Sequence, residues 1–370
     1  MLRSAIKNEI APLTGFRFIT AFMIFLSHAA LFLGLKFDFW GADTFLANSS
    51  VFMSGFFVLS GYILTQLYSD NDFTQKNEVW NFYIRRFARI YPVYFVATVV
   101  FFCLFPSFMF TPTDWVRIVI NDLFLTQGFF PNASDLGINC VTWSISVEAF
   151  FYLCFPMLII LFRYHAMLLL FLAGIMSIIV SINIIGDVHT NLDSIHRLAV
   201  YYTNPIFRLS EFMIGISFNL LKKEGYLDEL PFLLKSCVFV FCLIISLTLT
   251  PLAAEKYYHM AANFILVPLF GLLIVNFHNI KSGFLQNSIV LNFLGKISYS
   301  FYLWQFLVII SGIFMQKMTD FNTLALVVFL FFINVFLSSL SYVFLELPAR
   351  RLLLKFVDKC PNFGLMTKSS

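Results

Sequence analysis

The stretch LTGFRFITAFMIFLSHAALF, residues 13–32, decides the fold class of this chain. Nearly all of its residues are apolar, and a run of about 20 such residues forms a helix long enough to cross the hydrocarbon core of a bilayer. Two ionisable residues, Arg17 and His28, interrupt the run. The stretch therefore predicts a transmembrane helix and raises the question of why that helix carries an arginine and a histidine.

The composition of the whole chain also indicates that the protein lies in a lipid bilayer. Hydrophobic residues make up 60% of the 370 residues and charged residues 12%, whereas soluble domains have about 45–50% and 25%. The apolar runs are continuous, unlike the alternating segments of about 10 residues in membrane β-barrels. We therefore predict an all-α, polytopic integral membrane protein. Its ten predicted spans lie near residues 14–35, 48–68, 91–110, 141–163, 166–186, 205–222, 232–251, 261–278, 293–315 and 323–347.

The charges between the spans predict their orientation. With the N-terminus in the cytoplasm, the cytoplasmic side carries 17 Lys and Arg residues and the opposite side carries 6, as the positive-inside rule expects. Both termini are then cytoplasmic. The net charge of +4 is a topology signal, and nothing in it indicates nucleic-acid binding.

The chain is predicted to be one membrane-embedded domain over residues 1–370, with a core of about 13–351 and no appended soluble domain. The first span is too long for a cleavable signal peptide and lacks a small-residue cleavage site, so we expect it to remain as an anchor. The six cysteines are scattered, without CxxC or a His/Cys ligand spacing. We predict neither a structural disulfide nor a metal site.

Arg17 and His28 are predicted to share one stripe of the first helix. They are 11 residues apart, which brings them to within about 20° of the same face and separates them by about 16 Å along the axis. In the predicted orientation Arg17 lies near the cytoplasmic end and His28 in the outer half. Taken singly, Arg17 could be a snorkelling arginine at the membrane edge, and His28 could be a packed histidine.

Glu148 stands in the fourth predicted span, within NCVTWSISVEAFFYLCFP. That span is expected to enter from the outside, which places Glu148 at a depth close to that of His28. A paired carboxylate would hold the imidazole in one tautomer and raise its basicity, as a general base requires. Trp143, Ser144 and Ser146 are candidates to line the same pocket, although Trp143 also suits the interfacial aromatic belt.

The sixth predicted span begins NPIFRLSEFMIGI, in which Arg208 and Glu211 are neighbours at i, i+3. A structural ion pair that neutralises itself is the commoner interpretation of such a pair. The functional interpretation is that the two residues shape the acceptor site.

Three arginines, Arg85, Arg86 and Arg89, stand in NFYIRRFARIYPVYF, directly before the third predicted span and at its cytoplasmic edge. Guanidinium forks match phosphate oxygens, so a nucleotide or coenzyme A would fit there. The positive-inside rule accounts for the same residues equally well.

Small residues mark the second predicted span, FMSGFFVLSGYIL, which contains Ser60 and Gly61. Close helix packing explains most such residues. The alternative is that an extended ligand passes beside the backbone, which would make Ser60 and Gly61 part of a cofactor site.

Seven segments together resemble one known family, the membrane acyltransferase family 3, which includes bacterial O-antigen and other surface-glycan O-acetyltransferases. They extend from about residue 13 to residue 351 in the family's order and approximate spacing. The segments are LTGFRFITAFMIFLSHA, FFVLSGYIL, FYIRRFARIYPVY, VTWSISVEAFFYLCFP, FRLSEFMIG, LGKISYSFYLWQF and LELPARRLL.

The resemblance implies a ten-helix enzyme of the bacterial inner membrane that transfers an acyl group, usually acetyl, from cytoplasmic acyl-coenzyme A. The acceptor would be a hydroxyl of a saccharide or lipid-linked glycan, such as O-antigen, lipopolysaccharide or exopolysaccharide. It also implies that Arg17 and His28 are essential. The RRxxR arginines would serve the acyl donor, and Trp143 through Glu148 match the family's WSLSVE-like element with Ile145 in place of leucine.

The sequence departs from the family's pattern at three places. Thr14 replaces the aspartate of LDGLR, and Gln305 replaces the histidine that usually follows tyrosine, leucine and tryptophan. We therefore assign no carboxylate role at the first position and no proton transfer at the second. Many relatives also carry an SGNH esterase-like domain, which is not expected here. The membrane domain would then complete the transfer alone or pass the acyl group to a separate extracytoplasmic partner.

Residues and resemblance together predict a path for the donor. The RRxxR arginines, with Arg17 as a further candidate, would hold the coenzyme A phosphates, and the pantetheine arm would run toward His28. His28, oriented by Glu148, would deprotonate the acceptor hydroxyl; an acyl-histidine, acyl-serine or acyl-tyrosine relay is the mechanistic alternative. The competing function is a glycolipid or polysaccharide transporter or flippase that uses the same buried groups, although no inverted repeat is visible.

Overall fold

The computed structural model describes residues 10–37, 42–47, 49, 51–105, 115–130, 138–189, 200–227, 258–319 and 321–359. Regular structure within these ranges is entirely helical. The helices are α1 (Ala11–Leu33), α2 (Ala42–Ala47), α3 (Val51–Tyr68), α4 (Lys76–Leu104), α5 (Trp115–Phe124), α6 (Trp143–Phe162), α7 (Ala166–His189), α8 (Pro205–Lys223), α9 (Tyr258–His278), α10 (Phe284–Asn287), α11 (Ile289–Met318), α12 (Thr323–Ser341) and α13 (Leu347–Lys359). Short 3-10 turns stand at Gln127–Phe129 and Cys140–Thr142, and a π-helical turn at Tyr342–Glu346 joins α12 to α13.

Seven helices within the described ranges are long and apolar enough to cross a membrane. They are α1, α3, α4, α6, α7, α11 and the continuous stretch from α12 into α13. The prediction of an all-helical, multi-span protein is confirmed. The predicted spans 205–222 and 261–278 fall on α8 and α9, which are not among the seven, and the span 232–251 lies outside the described residues. A total of ten spans and a single domain over 1–370 stay predictions.

Helix α1 begins and ends where its sequence requires. Pro12 stands in the first turn, where its missing N–H costs no hydrogen bond. Gly34 ends the helix in the left-handed conformation, with φ 69°, and its N–H caps Ala29 O.

Helices α1 and α11 run parallel and pack against each other along most of their length. Gly295 of α11 lies directly against the Thr14 carbonyl, where a Cβ would have no space. At the other end of the pair, Gln316 Nε2 donates to Leu33 O at 3.2 Å. Between them, the Phe301 ring packs on Phe18 and Phe25 at centroid distances of 5.5 and 5.7 Å.

Helices α3 and α8 are also parallel, and glycines bring their backbones into contact. A Cβ on Gly61 would overlap the Phe212 carbonyl oxygen, and a Cβ on Gly215 would overlap the Val58 carbonyl oxygen. Small residues of this kind allow the close approach that membrane helices use for packing. The structure therefore gives Gly61 a role in helix packing, and its place in a cofactor site stays a prediction.

The described chain starts and finishes at the same end of the bundle, which we call the basal end. Ile10 and Leu354 line one cavity there. The C-terminal ends of α3 and α8 meet at this end as well, where Lys223 Nζ lies 3.3 Å from Asp70 Oδ1. The assignment of the basal end to the cytoplasm stays a prediction from the loop charges.

Gly61→Ala is expected to lower the stability of the bundle, because its methyl group would push α8 away from α3. Overpacking of this kind typically costs about 1–3 kcal/mol. Gly174→Ala in α7 is the matched control, since nothing lies within 4 Å of its Cβ position. Thermal unfolding of both variants in detergent should show a lower Tm for Gly61→Ala only; equal Tm values would contradict the backbone contact.

Candidate functional site

A cavity of about 230 Å³ opens at the basal end between α1, α3, α4 and α13. Its walls carry five arginines and no carboxylate. The arginines are Arg17, Arg85, Arg86, Arg89 and Arg350. Such a lining favours an anion with several charges, because guanidinium groups pair with phosphate or carboxylate oxygens through two parallel hydrogen bonds.

Helix α4 places its three arginines inside the bundle. The helix begins at Lys76, so Arg86 lies about 15 Å along it. The helix extends 15 residues further toward the N-terminus than the predicted span, so the three arginines stand within it instead of before it. Their location at the cytoplasmic edge of the membrane stays a prediction.

Arg86 is the most enclosed of the three, with 5% of its surface exposed. Its Nη2 donates to the Tyr68 hydroxyl at 2.8 Å. Its guanidinium also lies over the rings of Tyr68, Phe82 and Tyr152, at 5.1, 5.9 and 5.8 Å from their centroids. Cation–π contacts of this kind compensate part of the hydration that a buried cation loses.

A second, smaller cavity of about 30 Å³ continues from the first toward the interior. The two cavities share Arg17, Arg86 and Arg89 in their walls. Ser60, Glu148, Tyr152 and Tyr299 are among the further residues that line the smaller one. The predicted site residues Arg17, Ser60 and Glu148 thus meet in one place together with the α4 arginines.

Glu148 is held by its neighbours on α3 and α6. Its Oε1 accepts hydrogen bonds from Ser60 Oγ at 3.5 Å and from the Tyr152 hydroxyl. Tyr152 follows Glu148 by four residues, so it stands on the same helix face. That spacing was visible in the sequence and identifies a site residue that the sequence analysis missed.

A second carboxylate, Glu346, was also missed. It is 8% exposed, and its Oε2 accepts from Ser300 Oγ at 3.0 Å. Glu148 and Glu346 both lie within electrostatic range of Arg89. The signal in the sequence was the presence of a glutamate at the end of the last apolar run, in the segment LELPARRLL that also supplies Arg350.

His28 stands apart from this cluster and lines neither of the two cavities. The side chain is half-buried, and its Nδ1 is buried without a hydrogen-bond partner among the described residues. Its ring lies 6.2 and 6.5 Å from the ring centroids of Phe32 and Phe306. His28 is thus an imidazole on the far side of the bundle from the basal end, about 16 Å from Arg17 along α1.

The predicted His28–Glu148 pair is wrong, because Glu148 bonds Ser60 and Tyr152 instead. The depth of Glu148 was misjudged. The residues before α6 are themselves buried, and Asn139 Nδ2 donates to Leu303 O in the middle of α11 at 3.2 Å. Helix α6 therefore begins inside the bundle, and Glu148 lies deeper than a count from the outer surface places it.

Trp143, Ser144 and Ser146 do not line either cavity. Ser144 Oγ lies 2.7 Å from the Tyr302 hydroxyl, and Ser146 Oγ accepts from Gly128 N at 3.3 Å. Trp143 is 6% exposed, which also excludes the aromatic belt as its location. Ser144 and Ser146 connect the start of α6 to neighbouring segments through these contacts. Neither cavity brings the three residues together with His28.

Arg208 and Glu211 form a fully buried ion pair, with Nη1 and Oε1 separated by 3.1 Å. Ser54 Oγ donates to Glu211 Oε1 at 3.0 Å. Four aromatic rings enclose the guanidinium at 5.1–5.9 Å, namely those of Phe57, Trp143, Tyr202 and Phe264. This geometry agrees with the structural interpretation of the pair, and a role in shaping an acceptor site stays a prediction.

Neither cavity suggests a metal centre. Among the described residues, no group of three or more His, Cys, Asp or Glu side chains could hold a metal ion. The polar groups that meet in the walls are guanidiniums, hydroxyls, the Gln66 amide and the Glu148 carboxylate.

Comparison with known proteins shows a match to the family described as "Acyltransferase domain" over residues 10–343. The chain is 33% identical to Acyltransferase MdmB of Streptomyces mycarofaciens over 162 residues, which are 40% of this chain and 39% of MdmB. It is 24% identical over 345 residues to a Staphylococcus aureus (strain COL) protein provisionally named an O-acetyltransferase, covering 83% of this chain and 54% of that protein. The chain thus spans less than two thirds of either relative. No solved structure matches the chain.

Glu211→Gln is expected to destabilise the protein strongly, because it leaves the buried Arg208 without its counter-charge. Removing one partner of a buried pair costs about 3–5 kcal/mol. Glu224→Gln at the exposed end of the same helix is the matched control, with an expected change within about 0.5 kcal/mol. Denaturant unfolding in micelles measures both, and a Glu211→Gln variant as stable as the control would contradict a structural role.

Proposed function

Because the chain belongs to this acyltransferase family, we propose that it is a membrane-embedded O-acyltransferase that uses acyl-coenzyme A, in the first instance acetyl-coenzyme A, as its donor. The acceptor is a hydroxyl of a surface saccharide or lipid-linked glycan. The observation that carries this proposal is the arginine-lined cavity at the basal end and the adjoining smaller cavity that Glu148 lines.

The arginine cavity suits the phosphate end of the donor. Coenzyme A carries a pyrophosphate and a 3′-phosphate, and each matches a guanidinium fork. The charged nucleotide stays at the mouth, since desolvating its phosphates deep in the bundle would be costly. The uncharged pantetheine arm would extend inward, past Ser60 and Glu148.

His28 is the proposed base at the other end of this path. A neutral imidazole accepts a proton near physiological pH, and His28 Nδ1 has no partner in the described structure that would occupy it. As the acceptor oxygen attacks the thioester carbonyl, its proton would move to the imidazole and the thiolate of coenzyme A would leave. The extended donor explains why phosphate-binding arginines and a base lie about 16 Å apart along one helix.

Glu148 has a different role from the one predicted for it. It lies among Arg17, Arg86 and Arg89 in the wall of the smaller cavity. There it offsets part of their positive charge and, through its hydrogen bond with Ser60, links α6 to α3 along the proposed path. Glu148 therefore helps to position the donor, and it does not orient the ring of His28.

The acceptor and the cellular location rest on the relatives. The S. aureus protein, named provisionally as an O-acetyltransferase, aligns with 83% of this chain, and that alignment supports transfer to oxygen. We place the protein in the bacterial inner membrane with the basal end facing the cytoplasm, where acyl-coenzyme A is found. The excess of Lys and Arg predicted on that side supports the same orientation.

His28→Ala should abolish transfer while the protein still binds its donor. A general base contributes about 10²–10⁴-fold to a rate. The assay uses purified protein in lipid nanodiscs with radiolabelled acetyl-coenzyme A and bacterial surface glycans, and it measures donor binding and label transfer separately. His165→Ala, in an exposed turn between α6 and α7, is the matched control and should behave as wild type.

Arg17→Ala tests the donor end in the same assay and should weaken donor binding. The enzyme proposal fails if wild-type protein neither binds acetyl-coenzyme A nor labels any glycan. Movement of a glycolipid across the bilayer by such a preparation would favour a transporter instead.

Glu148→Gln should leave the pH dependence of kcat at its wild-type position, because Glu148 makes no hydrogen bond to His28. The altered charge beside Arg89 should instead change the KM for acetyl-coenzyme A. A pH profile of kcat for the two proteins separates the alternatives. If the acidic limb of the profile shifts in the variant, the carboxylate acts on the base after all.

A further inference from the structure

The segment that follows α12 forms part of the arginine cavity. It consists of the π-helical turn Tyr342–Glu346 and helix α13, Leu347–Lys359. Its site residues, Glu346 and Arg350, lie beyond residue 343, where the family match ends. Both the turn and α13 pack against α4, the helix that carries the RRxxR arginines.

Pro348 gives a physical reason for the π-helical turn. Proline has no N–H to donate to the fourth residue before it, and its ring crowds that residue's carbonyl. The helix accommodates this with a wider turn in which Leu347 N donates to Tyr342 O, five residues earlier. Such turns occur frequently at functional sites.

The turn directs Glu346 into the bundle. Its neighbours Val343 and Phe344 are 48% and 73% exposed on the lipid-facing side, whereas Glu346 is 8% exposed. Inside, its carboxylate bonds Ser300 and lies within electrostatic range of Arg89, Arg350 and Arg17. Burial of a carboxylate is tolerated at this place only because cations surround it, since burying an unpaired charge in a membrane protein is costly.

Arg350 follows Glu346 by four residues and therefore stands on the same helix face. It lines the arginine cavity together with Arg85 and Arg86. The next residue, Arg351, is exposed and does not line the cavity. Of these two adjacent arginines, Arg350 lines the cavity and Arg351 does not.

The charges are distributed unevenly around the two cavities. Glu148 lines the smaller, deeper one, and Glu346 lies within electrostatic range of Arg89 and Arg17, which both cavities share, and of Arg350. No carboxylate lines the larger cavity, where Arg85 and Arg350 stand near the mouth. The mouth is therefore the place where an anionic ligand gains most.

We propose that this C-terminal segment completes the donor site, with Arg350 as a phosphate-binding residue and Glu346 as a positioning residue for Arg89 and Arg17. The ligand chemistry is that of a small molecule with several phosphate groups. The inference rests on the proposed function and adds to it a contribution from a second part of the chain.

Equilibrium binding of acetyl-coenzyme A to the full chain tests Arg350. Nanodiscs of zwitterionic lipid keep anionic headgroups from competing. Arg350→Ala should weaken binding about tenfold or more, as expected when a charged hydrogen bond is lost. Arg351→Ala is the matched control and should bind as wild type.

The outcomes separate the two proposals. If wild-type protein binds no acetyl-coenzyme A, the proposed function itself fails. If wild-type protein binds it and Arg350→Ala binds it equally well, or if Arg351→Ala is weakened as much as Arg350→Ala, only the assignment of Arg350 is overturned.

Steady-state kinetics test Glu346. Glu346→Gln should raise the KM for acetyl-coenzyme A about tenfold with kcat within about twofold of wild type, because Arg89 and Arg17 lose the carboxylate that positions them for the phosphates. A lowered KM would mean that Glu346 acts only by offsetting their charge, and it would overturn the positioning role. Glu346→Asp, which retains the charge, should recover part of the loss. An unchanged KM, or a fall in kcat and Tm that aspartate does not repair, would mean that the residue only stabilises the fold.

Discussion

The repulsion among five arginines that share one cavity inside a membrane protein is the constraint on which the rest of the site depends. Each buried cation loses hydration worth several kcal/mol unless another group replaces it. The protein supplies Glu148 and Glu346 near Arg89 and aromatic rings around Arg86. The compensation is strongest in the interior and weakest at the mouth, which is where phosphates would enter.

The packing of the helices determines where these charges can meet. Glycines bring α3 onto α8 and α11 onto α1 until the backbones touch. This close packing aligns Ser60 of α3 with Glu148 of α6. The buried Arg208–Glu211 pair lies on the α8 side of the same arrangement and has its own aromatic enclosure. One pair of charges is enclosed between packed helices, while the other cluster surrounds a space that a ligand can occupy.

The proposed donor is a long molecule, and its length would account for the separation between the two parts of the site. The arginines lie at the basal end, and His28 lies about 16 Å farther along α1. A donor with a charged nucleotide at one end and a reactive thioester at the other spans such a separation without bringing its phosphates into the interior. In the proposed mechanism the site is a path between two chemical environments, with the anion held at one end and the proton removed at the other.

The sequence by itself determined the membrane environment, the helical class and the family resemblance, and it identified most of the ionisable residues of interest. Continuous apolar runs and rare charges are visible without coordinates. Only the tertiary structure decided which of these residues share a space. Glu148 meets Arg17 and Arg89 instead of His28, since α6 starts inside the bundle. Glu346 joins them because a π-helical turn directs it inward. The depth of a side chain in the bundle and the direction in which it points depend on how the helices start, turn and pack against one another. The spacing of residues along the sequence contains neither kind of information.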